Sequence, residues 1–356
     1  MRAMVLKEFR QLRRDRRTVA MMVVMPLLLL VVFGFAASFD VDTIPTLVVG
    51  QEAEAAAGHL PDVFDVTEVD SQGGRAAAID SLRNSETAAA VIAGPRPAVL
   101  LDGSELFSAQ AALRSFSNAT DSVPAGVRPD VQILFNRDLE TSAVMIPAIA
   151  GMILVFIGTV ITSLGVVRER QTNTLEQLAV MPFRPRDVFV GKIAPYFVIA
   201  AVDLTVVLGV GVWLFSVPFR GSVSIVVLGA LLFLFVTLGL GILISSVSQN
   251  QGQAVQLAIM TLLPQVLLSG MIFPVESMAA GIRWISYLLP LTYFIEVSRG
   301  VMLRAAPLSA LWFPMGMLAL LGVVVFGLAI IRFRRDLAPR RSKPRATARP
   351  ASMEAA

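Results

Sequence analysis

The sequence predicts an α-helical protein that crosses a membrane several times and carries one small α/β domain between its first two spans. Three observations support this fold class. Hydrophobic residues make up 55% of the 356 residues and charged residues only 16%, whereas soluble domains are about 25% charged. The hydrophobic residues are concentrated in runs long enough to cross a bilayer, which takes about 20 residues per helix. The chain between the first two runs is polar instead.

Six apolar runs are predicted to be transmembrane helices. They cover residues 18–39, 144–167, 193–217, 223–247, 254–273 and 311–331. The segment 1–17 before the first run is predicted to form an amphipathic helix in the inner membrane interface. Its apolar residues recur at helical spacing, with the arginines mostly elsewhere on the helix. A cleavable secretory signal is the alternative, because Ala36-Ala37-Ser38 is typical of a cleavage site. The long, patterned segment before the apolar run argues against it.

The distribution of charge predicts the orientation of these helices. Twenty of the 30 basic residues lie in residues 1–17, 168–192 and 332–356, whereas residues 40–142 hold 16 of the 26 acidic residues. Because basic segments remain cytoplasmic, both termini and the 168–192 loop are expected inside and the acidic segment outside. The uncharged loop 248–252 then also falls inside. The tail 332–356 is expected to be mostly disordered.

The outer segment 40–142 is predicted to be an α/β domain. Strand-like runs cover residues 46–49, 64–69, 88–92, 98–101 and 131–135, and helices are predicted over 74–84 and 105–118. Helices interleaved with strands predict a sheet covered by helices. The single histidine, His59, is expected to be a solvated loop residue. The absence of cysteine excludes disulfides, thiolate zinc sites and a cysteine nucleophile.

Residues 274–310 are predicted to form a helical hairpin that enters the membrane from outside and returns. Helices are expected over 277–289 and 291–303, separated by Pro290, and each is too short to cross. A hairpin on the membrane surface is the alternative. Charged residues also argue against a simple spanning helix here: Glu276, Arg283, Glu296 and Arg299. The last two are three residues apart and could pair on one helix face.

No motif for nucleotide phosphates or for catalysis occurs in the sequence. Gly191-Lys192 is followed by Ile193 and is not preceded by the glycine that a phosphate-binding loop requires. No Gly-x-Ser-x-Gly or His-Glu-x-x-His pattern is found either. We therefore predict that this chain has no ATPase site of its own.

A polar segment between the second and third spans, residues 168–182, has the pattern of a short helix. Asn173 can cap its N-terminus, Glu176 lies at capping-box spacing, and Pro182 ends it. An apolar stripe runs along this helix, formed by Leu175, Leu178 and Ala179. Such a helix could lie on the headgroups or fit into a groove of a cytoplasmic partner.

This segment resembles the cytoplasmic segment of ABC-2-type transporter permeases, whose usual form is close to R-E-R-E-x-G-T-L-E-Q-L-x-x-x-P. Here it is Arg168-Glu169-Arg170-Gln171-Thr172-Asn173-Thr174-Leu175-Glu176-Gln177-Leu178-Ala179-Val180-Met181-Pro182. The resemblance continues through Gly191-Lys192, Phe273-Pro274-Val275-Glu276 and Leu289-Pro290-Leu291-Thr292-Tyr293-Phe294, and covers about residues 135–337. Asn173 replaces the family's glycine, and both residues tolerate cap conformations. An outer domain after the first span fits one subgroup of this family.

The resemblance implies a membrane subunit that pairs with a second permease copy or a paralogue and binds two ABC ATP-binding subunits. ATP and Mg would then be bound by those subunits, and this chain would hold no cofactor or metal. The implied coupling residues are Arg168, Glu169, Arg170, Asn173, Thr174, Leu175, Glu176, Gln177 and Leu178. The implied location is the prokaryotic plasma (inner) membrane, in contact with lipid, and no nucleic-acid partner is expected.

The implied activity is outward movement of a hydrophobic or amphipathic compound, drug-like or lipid-like. Two alternatives are a mechanical transducer acting through the outer domain and a proton-coupled secondary carrier. Candidate residues for the transport path or gate are Asp203, Glu276, Glu296 and Arg299. A charge at Asp203, in the middle of the third span, costs about 3 kcal/mol. It either lines the path, as a polar contact or a proton site, or forms a structural hydrogen bond to a neighbouring helix.

Overall fold

A computed structural model describes residues 27, 41, 43–119, 130–172 and 185–337. The predicted amphipathic helix 1–17, almost all of the predicted first span 18–39 and the tail beyond 337 lie outside the described residues. So do residues 173–184, which contain most of the predicted coupling helix.

The sheet domain contains five strands in the order β2-β1-β3-β4-β5. All neighbouring strands are parallel except β3 and β4, which are antiparallel and are joined by a short loop. Each strand overlaps one of the five segments predicted from sequence. The strands are β1 (Ile44–Val49), β2 (Phe64–Asp70), β3 (Ala89–Ile92), β4 (Ala98–Asp102) and β5 (Asp130–Leu134).

Helices cover both faces of this sheet: α1 (Ala53–Ala57), α2 (Arg75–Asn84) and α3 (Leu106–Ala119). Because strand side chains alternate between faces, Leu101 packs on the side of α1 and α3, whereas Leu100 packs on the side of α2. The short helix α1 has no counterpart among the sequence predictions.

The rest of the described chain is mostly helical. It contains α4 (Thr141–Val155), a π-helical segment (Phe156–Ile161), α5 (Thr162–Gln171), α6 (Pro185–Leu214), α7 (Val223–Val247), α8 (Gln251–Leu268), α9 (Ala280–Ser286), α10 (Pro290–Met302) and α11 (Trp312–Leu337). Four helices within the described residues are long and apolar enough to cross a membrane: Thr141–Glu169, Ala194–Leu214, Val223–Val247 and Trp312–Arg332. They correspond to the predicted second, third, fourth and sixth spans.

The predicted first and fifth spans are not among these four helices. The first lies outside the described residues apart from Leu27. The fifth corresponds to α8, which ends at Leu268 rather than at residue 273. Its 18 residues rise about 27 Å, close to the thickness of a bilayer core. The count of six spans therefore stays a prediction.

The predicted hairpin 274–310 has different helix boundaries from those expected. The first helix, α9, has 7 residues rather than 13. The second helix, α10, begins at Pro290 itself, one residue before the predicted start. The physical reason is that the fixed φ of proline suits a first helical turn, where its missing N–H has no partner to lose.

Helix α10 is buried between α4, α7 and α11. Its Phe294 stacks on Phe233 of α7, with ring centroids 4.6 Å apart. Its 13 residues rise about 20 Å, too short to cross the hydrocarbon core of about 30 Å. A hairpin lying on the membrane surface, the alternative considered from sequence, would not have α10 buried in this way.

The π-helical segment interrupts the regular hydrogen bonding between α4 and α5. Helix α7 packs closely against it at two glycines, Gly158 and Gly241. A Cβ atom on Gly241 would collide with the backbone oxygen of Gly158, and one on Gly158 would collide with Thr237. The close approach of these two helices therefore requires glycine at both positions.

The helices have two distinct ends. At one end, the connection between α6 and α7 packs beside the sheet domain: Val217 shares an apolar cluster with Leu106, and the Arg220 amide donates to the Met302 carbonyl at 3.0 Å. At the other end, Gln251 Nε2 donates to Gln171 Oε1 at 3.0 Å. One end thus carries the sheet domain, and the other carries the start of the predicted coupling segment.

Candidate functional site

The sheet domain is joined to the helical part by a buried ion pair. Arg304, two residues after α10, places Nη1 3.2 Å from Asp102 Oδ2 at the end of β4, and their side chains are 1% and 0% exposed. Nη1 also donates to Ser85 Oγ at 2.9 Å and Ser104 Oγ at 3.4 Å. A charged hydrogen bond of this kind is stronger than a neutral one.

The local backbone conformation positions the hydrogen-bond partners of Arg304. Ser85 adopts a left-handed conformation, φ 63°, at the C-terminus of α2. The backbone N–H and hydroxyl of Ser104 donate to Asp102 Oδ1 at 2.8 and 2.6 Å. One carboxylate oxygen of Asp102 is thus held by its own turn, which leaves the other for Arg304.

A cleft of about 250 Å³ lies beside this junction, between the sheet domain and the segment that contains α9 and α10. Side chains with both signs of charge line it: Glu105, Glu276, Glu296, Arg299 and Arg304. Three of these, Glu276, Glu296 and Arg299, are among the four path or gate candidates predicted from sequence. The structure therefore brings three of those candidates into one cleft.

Arg299 is buried in α10 and contacts α4 instead of pairing with Glu296. Its Nε donates to the Val144 carbonyl at 3.2 Å. The side chains of Glu296 and Arg299, although three residues apart on the helix, form no ion pair in the described chain. Arg299 therefore links the buried helix α10 to the first turn of α4.

Glu105, in the turn before α3, has a perturbed carboxyl group. Burial raises the pKa of Glu105 to about 7; the charge of Arg299 opposes this rise, and the charges of Glu276 and Asp102 add to it. The side chain of Glu105 is 38% exposed and lines the cleft. Glu105 therefore changes its charge near neutral pH.

Asp203 lies elsewhere, half-buried in α6. It is not among the residues that line the cleft. Its carboxylate has no hydrogen-bond partner in the part of the chain that the structure describes. Whether it acts in a transport path stays a prediction.

The predicted coupling residues are only partly described. Arg168, Glu169 and Arg170 lie in the last turn of α5, and Arg168 is exposed. The remaining candidates, Asn173, Thr174, Leu175, Glu176, Gln177 and Leu178, lie outside the described residues.

The four junction residues Ser85, Asp102, Ser104 and Arg304 were not predicted from sequence, and neither was Glu105 in the cleft. Arg304 follows the same apolar region as Glu276, Glu296 and Arg299, so the rule that selected those residues could have selected it. Its partner Asp102 is 202 positions away in the chain, and nothing local to either residue indicates the pairing.

The fold and this junction define a polytopic membrane protein whose sheet domain is fastened to its helices by buried charge. Residues 16–331 match the family model of the ABC-2 family transporter protein. The chain belongs to this family.

Two relatives from Escherichia coli are described as ABC transporter permeases. The chain is 28% identical over 332 residues to the "Probable multidrug ABC transporter permease YbhS" of Escherichia coli K12, covering 85% of this chain and 88% of that protein. It is 30% identical over 203 residues to "Probable multidrug ABC transporter permease YbhR" of the same organism, covering 57% of this chain and 55% of YbhR. The chain thus spans just over half of the length of YbhR.

A more distant similarity extends to a eukaryote. The chain is 29% identical over 148 residues to "ABC transporter G family member 20" of Dictyostelium discoideum. The matched region is 42% of this chain and 20% of that protein.

Proposed function

We propose that this chain is the permease subunit of an ATP-driven ABC exporter that moves an amphipathic, drug-like or lipid-like compound outward. Membership of the ABC-2 family supports a permease, and the names of two relatives include multidrug transport. Separate ATP-binding subunits supply the energy and hold ATP and Mg. The chain resides in the inner membrane with both termini in the cytoplasm.

One observation carries this proposal: a continuous helical connection runs from the sheet domain to the coupling segment. Helix α4, the π-helical segment and α5 follow one another without a break from Thr141 to Gln171. At about 1.5 Å per residue, this connection is about 46 Å long. Movement of the coupling segment by an ATP-binding subunit would thus be transmitted to the sheet domain and, through Val144, to Arg299 and the cleft.

The exposed surface of α6 supports pairing with a second permease copy or paralogue. Within Ala194–Leu214, only 17% of an 18-residue apolar stretch is buried. Large side chains on this helix are exposed, such as Val198, Val202, Val206 and Trp213. In a dimer this face would contact the partner subunit, the substrate path or lipid.

The alternative is a mechanical transducer that moves its outer domain without passing a substrate. The buried Arg304–Asp102 ion pair favours this alternative, since it fixes the sheet domain to the helices that would move. Transport measurements separate the two functions. Inside-out vesicles that contain the complex should accumulate a hydrophobic fluorescent substrate when ATP is added, whereas a transducer would hydrolyse ATP without accumulation.

The coupling role is tested by mutation of the predicted helix. Leu175→Ala and Glu176→Gln should each weaken co-purification with the ATP-binding subunits by about 10-fold, because each removes a contact of order 1.4 kcal/mol. Glu54→Gln, an exposed position in α1, serves as the control and should bind these subunits normally. Undiminished binding by both coupling variants would contradict the proposal.

A further inference from the structure

We propose that the cleft between the sheet domain, residues 269–276 and helix α10 binds an organic cation, a protonated amine attached to an apolar body. This inference rests on the proposed transport function and deepens it by naming a substrate class. It places a ligand site within one subunit, at the end of the helices that carries the sheet domain.

The charges that line the cleft favour a cation. Arg304 is already neutralised by Asp102, which lies behind the cleft wall at 3.2 Å. Glu105 lies 3.9 Å from Arg304, and its pKa is raised to about 7, so Glu276 and Glu296 are the carboxyl groups that remain opposite one arginine, Arg299. When these carboxyl groups are ionised, the cleft has an excess of negative charge, which attracts a positively charged ligand.

A buried hydroxyl in the cleft wall independently indicates a ligand. Ser269 is 1% exposed and lines the cleft, and its Oγ has no hydrogen-bond partner within the described part of the chain. Buried hydroxyl groups are nearly always hydrogen-bonded, because leaving one unpaired is costly. The oxygen of Ser269 can accept a hydrogen bond from an ammonium N–H, which is why we propose a protonated amine rather than a quaternary one.

The ligand is organic rather than a metal ion. No three carboxylate or histidine side chains converge on one point within the described residues, as chelation of a metal would require. The carboxyl groups are instead distributed around a cleft of about 250 Å³ whose wall also includes Val275, Tyr287 and Ile295. These side chains suit an apolar body next to the ammonium group.

The test uses dansylcadaverine, a fluorescent primary amine, and its N-acetylated form, which has nearly the same shape but no charge. The chain is assembled with its ATP-binding subunits in nanodiscs of phosphatidylcholine, whose headgroup has no net charge and no ammonium N–H, and fluorescence is titrated without ATP. Wild-type protein should bind the amine saturably and the acetylated compound at least about 10-fold more weakly. Equal binding of the two compounds would overturn the proposal.

Variants locate the binding. Glu276→Gln combined with Glu296→Gln should weaken amine binding by about 10- to 100-fold, on the order expected for two neutralised charges near a ligand cation. Ser269→Ala should weaken it by about 3-fold, as loss of one hydrogen bond predicts. Glu68→Gln, at an exposed position of β2, is the matched control and should bind as wild type. Unchanged binding by the double variant would also overturn the proposal.

Glu276 is exposed, so Glu276→Gln alone is expected to fold. If the double variant cannot be purified, this single variant still tests the proposal, because a loss of amine binding of about 3- to 10-fold is expected. Unchanged binding by this single variant in that case would overturn the proposal.

The ammonium group could belong to a soluble amine or to the headgroup of phosphatidylethanolamine. Adding phosphatidylethanolamine to the nanodiscs distinguishes these sources: displacement of dansylcadaverine assigns the site to a lipid headgroup, and unchanged binding assigns it to a soluble amine. Both results uphold an ammonium site.

Failure of this inference can be told apart from failure of the proposed function. Amine binding that discriminates charge but is accompanied by no ATP-driven accumulation in vesicles would argue against export alone. ATP-driven accumulation without charge discrimination in the cleft would argue against the ammonium site alone.

Discussion

Arg304 and Arg299 lie five residues apart and are both buried, yet they have different surroundings. Arg304 meets a fully buried carboxylate and two serine hydroxyls of the sheet domain. Arg299 has a hydrogen bond to one backbone carbonyl, that of Val144, and otherwise borders a cleft. Both arginines border the cleft, but Arg304 is paired with Asp102 and lies 3.9 Å from Glu105, whereas Arg299 forms no ion pair among the described residues.

The difference shows how a charged interface can serve both stability and binding. A buried ion pair such as Arg304–Asp102 fixes two parts of a molecule relative to one another, and removing either partner is costly. Within the described residues Arg304 is bonded through Nη1, and its Nε is buried without a hydrogen-bond partner. An arginine among three carboxyl groups with few direct contacts leaves part of its charge, and part of theirs, available to a ligand. We expect mutations at the junction to reduce stability more than mutations in the cleft do.

The largest effect is expected from Arg304→Met, which leaves Asp102 buried without its cation. The free energy of unfolding should fall by about 3–5 kcal/mol, measured by thermal or denaturant unfolding of the solubilised protein. Arg83→Met is the matched control, because the pair of Arg83 with Asp80 is 42% and 64% exposed and should contribute under about 1 kcal/mol. If both variants lost the same stability, the Arg304–Asp102 pair would not be what fastens the sheet domain to the helices.

A smaller loss is expected from Arg299→Met. The Val144 carbonyl loses its donor and the carboxyl groups of the cleft lose a neighbouring positive charge, for a cost of about 1–3 kcal/mol in the same unfolding measurement. Arg137→Met, at an exposed position, provides the control. A loss as large as that of Arg304→Met would show that the two arginines do not differ as proposed.

The smallest effect concerns the pH dependence of stability at Glu105. Its pKa is about 7 in the folded protein against a reference of 4.5, so between these values the folded state holds a proton that the unfolded state has released. Stability should therefore fall as pH rises from about 4.5 to 7. Glu105→Gln should remove this fall, which we expect to be on the order of 1 kcal/mol because solvent partly screens the side chain.

The measurement compares the free energy of unfolding of wild type and Glu105→Gln at about pH 5 and about pH 8. Glu54→Gln, at an exposed position, should retain the wild-type slope. A wild-type slope that survives the Glu105→Gln substitution would assign the pH dependence to another group.

Much of the secondary structure could be predicted from local patterns. Four of the five strands are short apolar runs, and β2 (Phe64–Asp70) instead alternates between apolar and polar residues, so each strand has its own local signal. Pro290 marks a helix boundary as predicted, but α10 begins at Pro290 itself rather than one residue later, because proline disrupts a helix interior and is favourable in a first turn. The apolar run of the predicted fifth span continues past Leu268, but the end of α8 there has a local signal that the prediction missed: Ser269 is the C-cap and Gly270 follows with φ 82°.

The candidate site could be predicted only in part. Charges within an apolar region are unusual, which is why the sequence alone indicates Glu276, Glu296 and Arg299. The junction of Arg304 with Asp102 and the position of Glu105 depend on how the sheet domain docks onto the helices. That docking is a long-range property, since the partners are separated by 202 positions.

The π-helical segment has a practical consequence for experiments on this protein. An α-helix advances about 100° per residue, and a π turn contains an extra residue that shifts the angular phase of everything after it. A helical wheel drawn through α4 and continued into α5 would therefore point Arg168 and Glu169 toward the wrong neighbours. Cross-linking or spin-label pairs on this helix should be chosen with separate angular references above and below Phe156–Ile161.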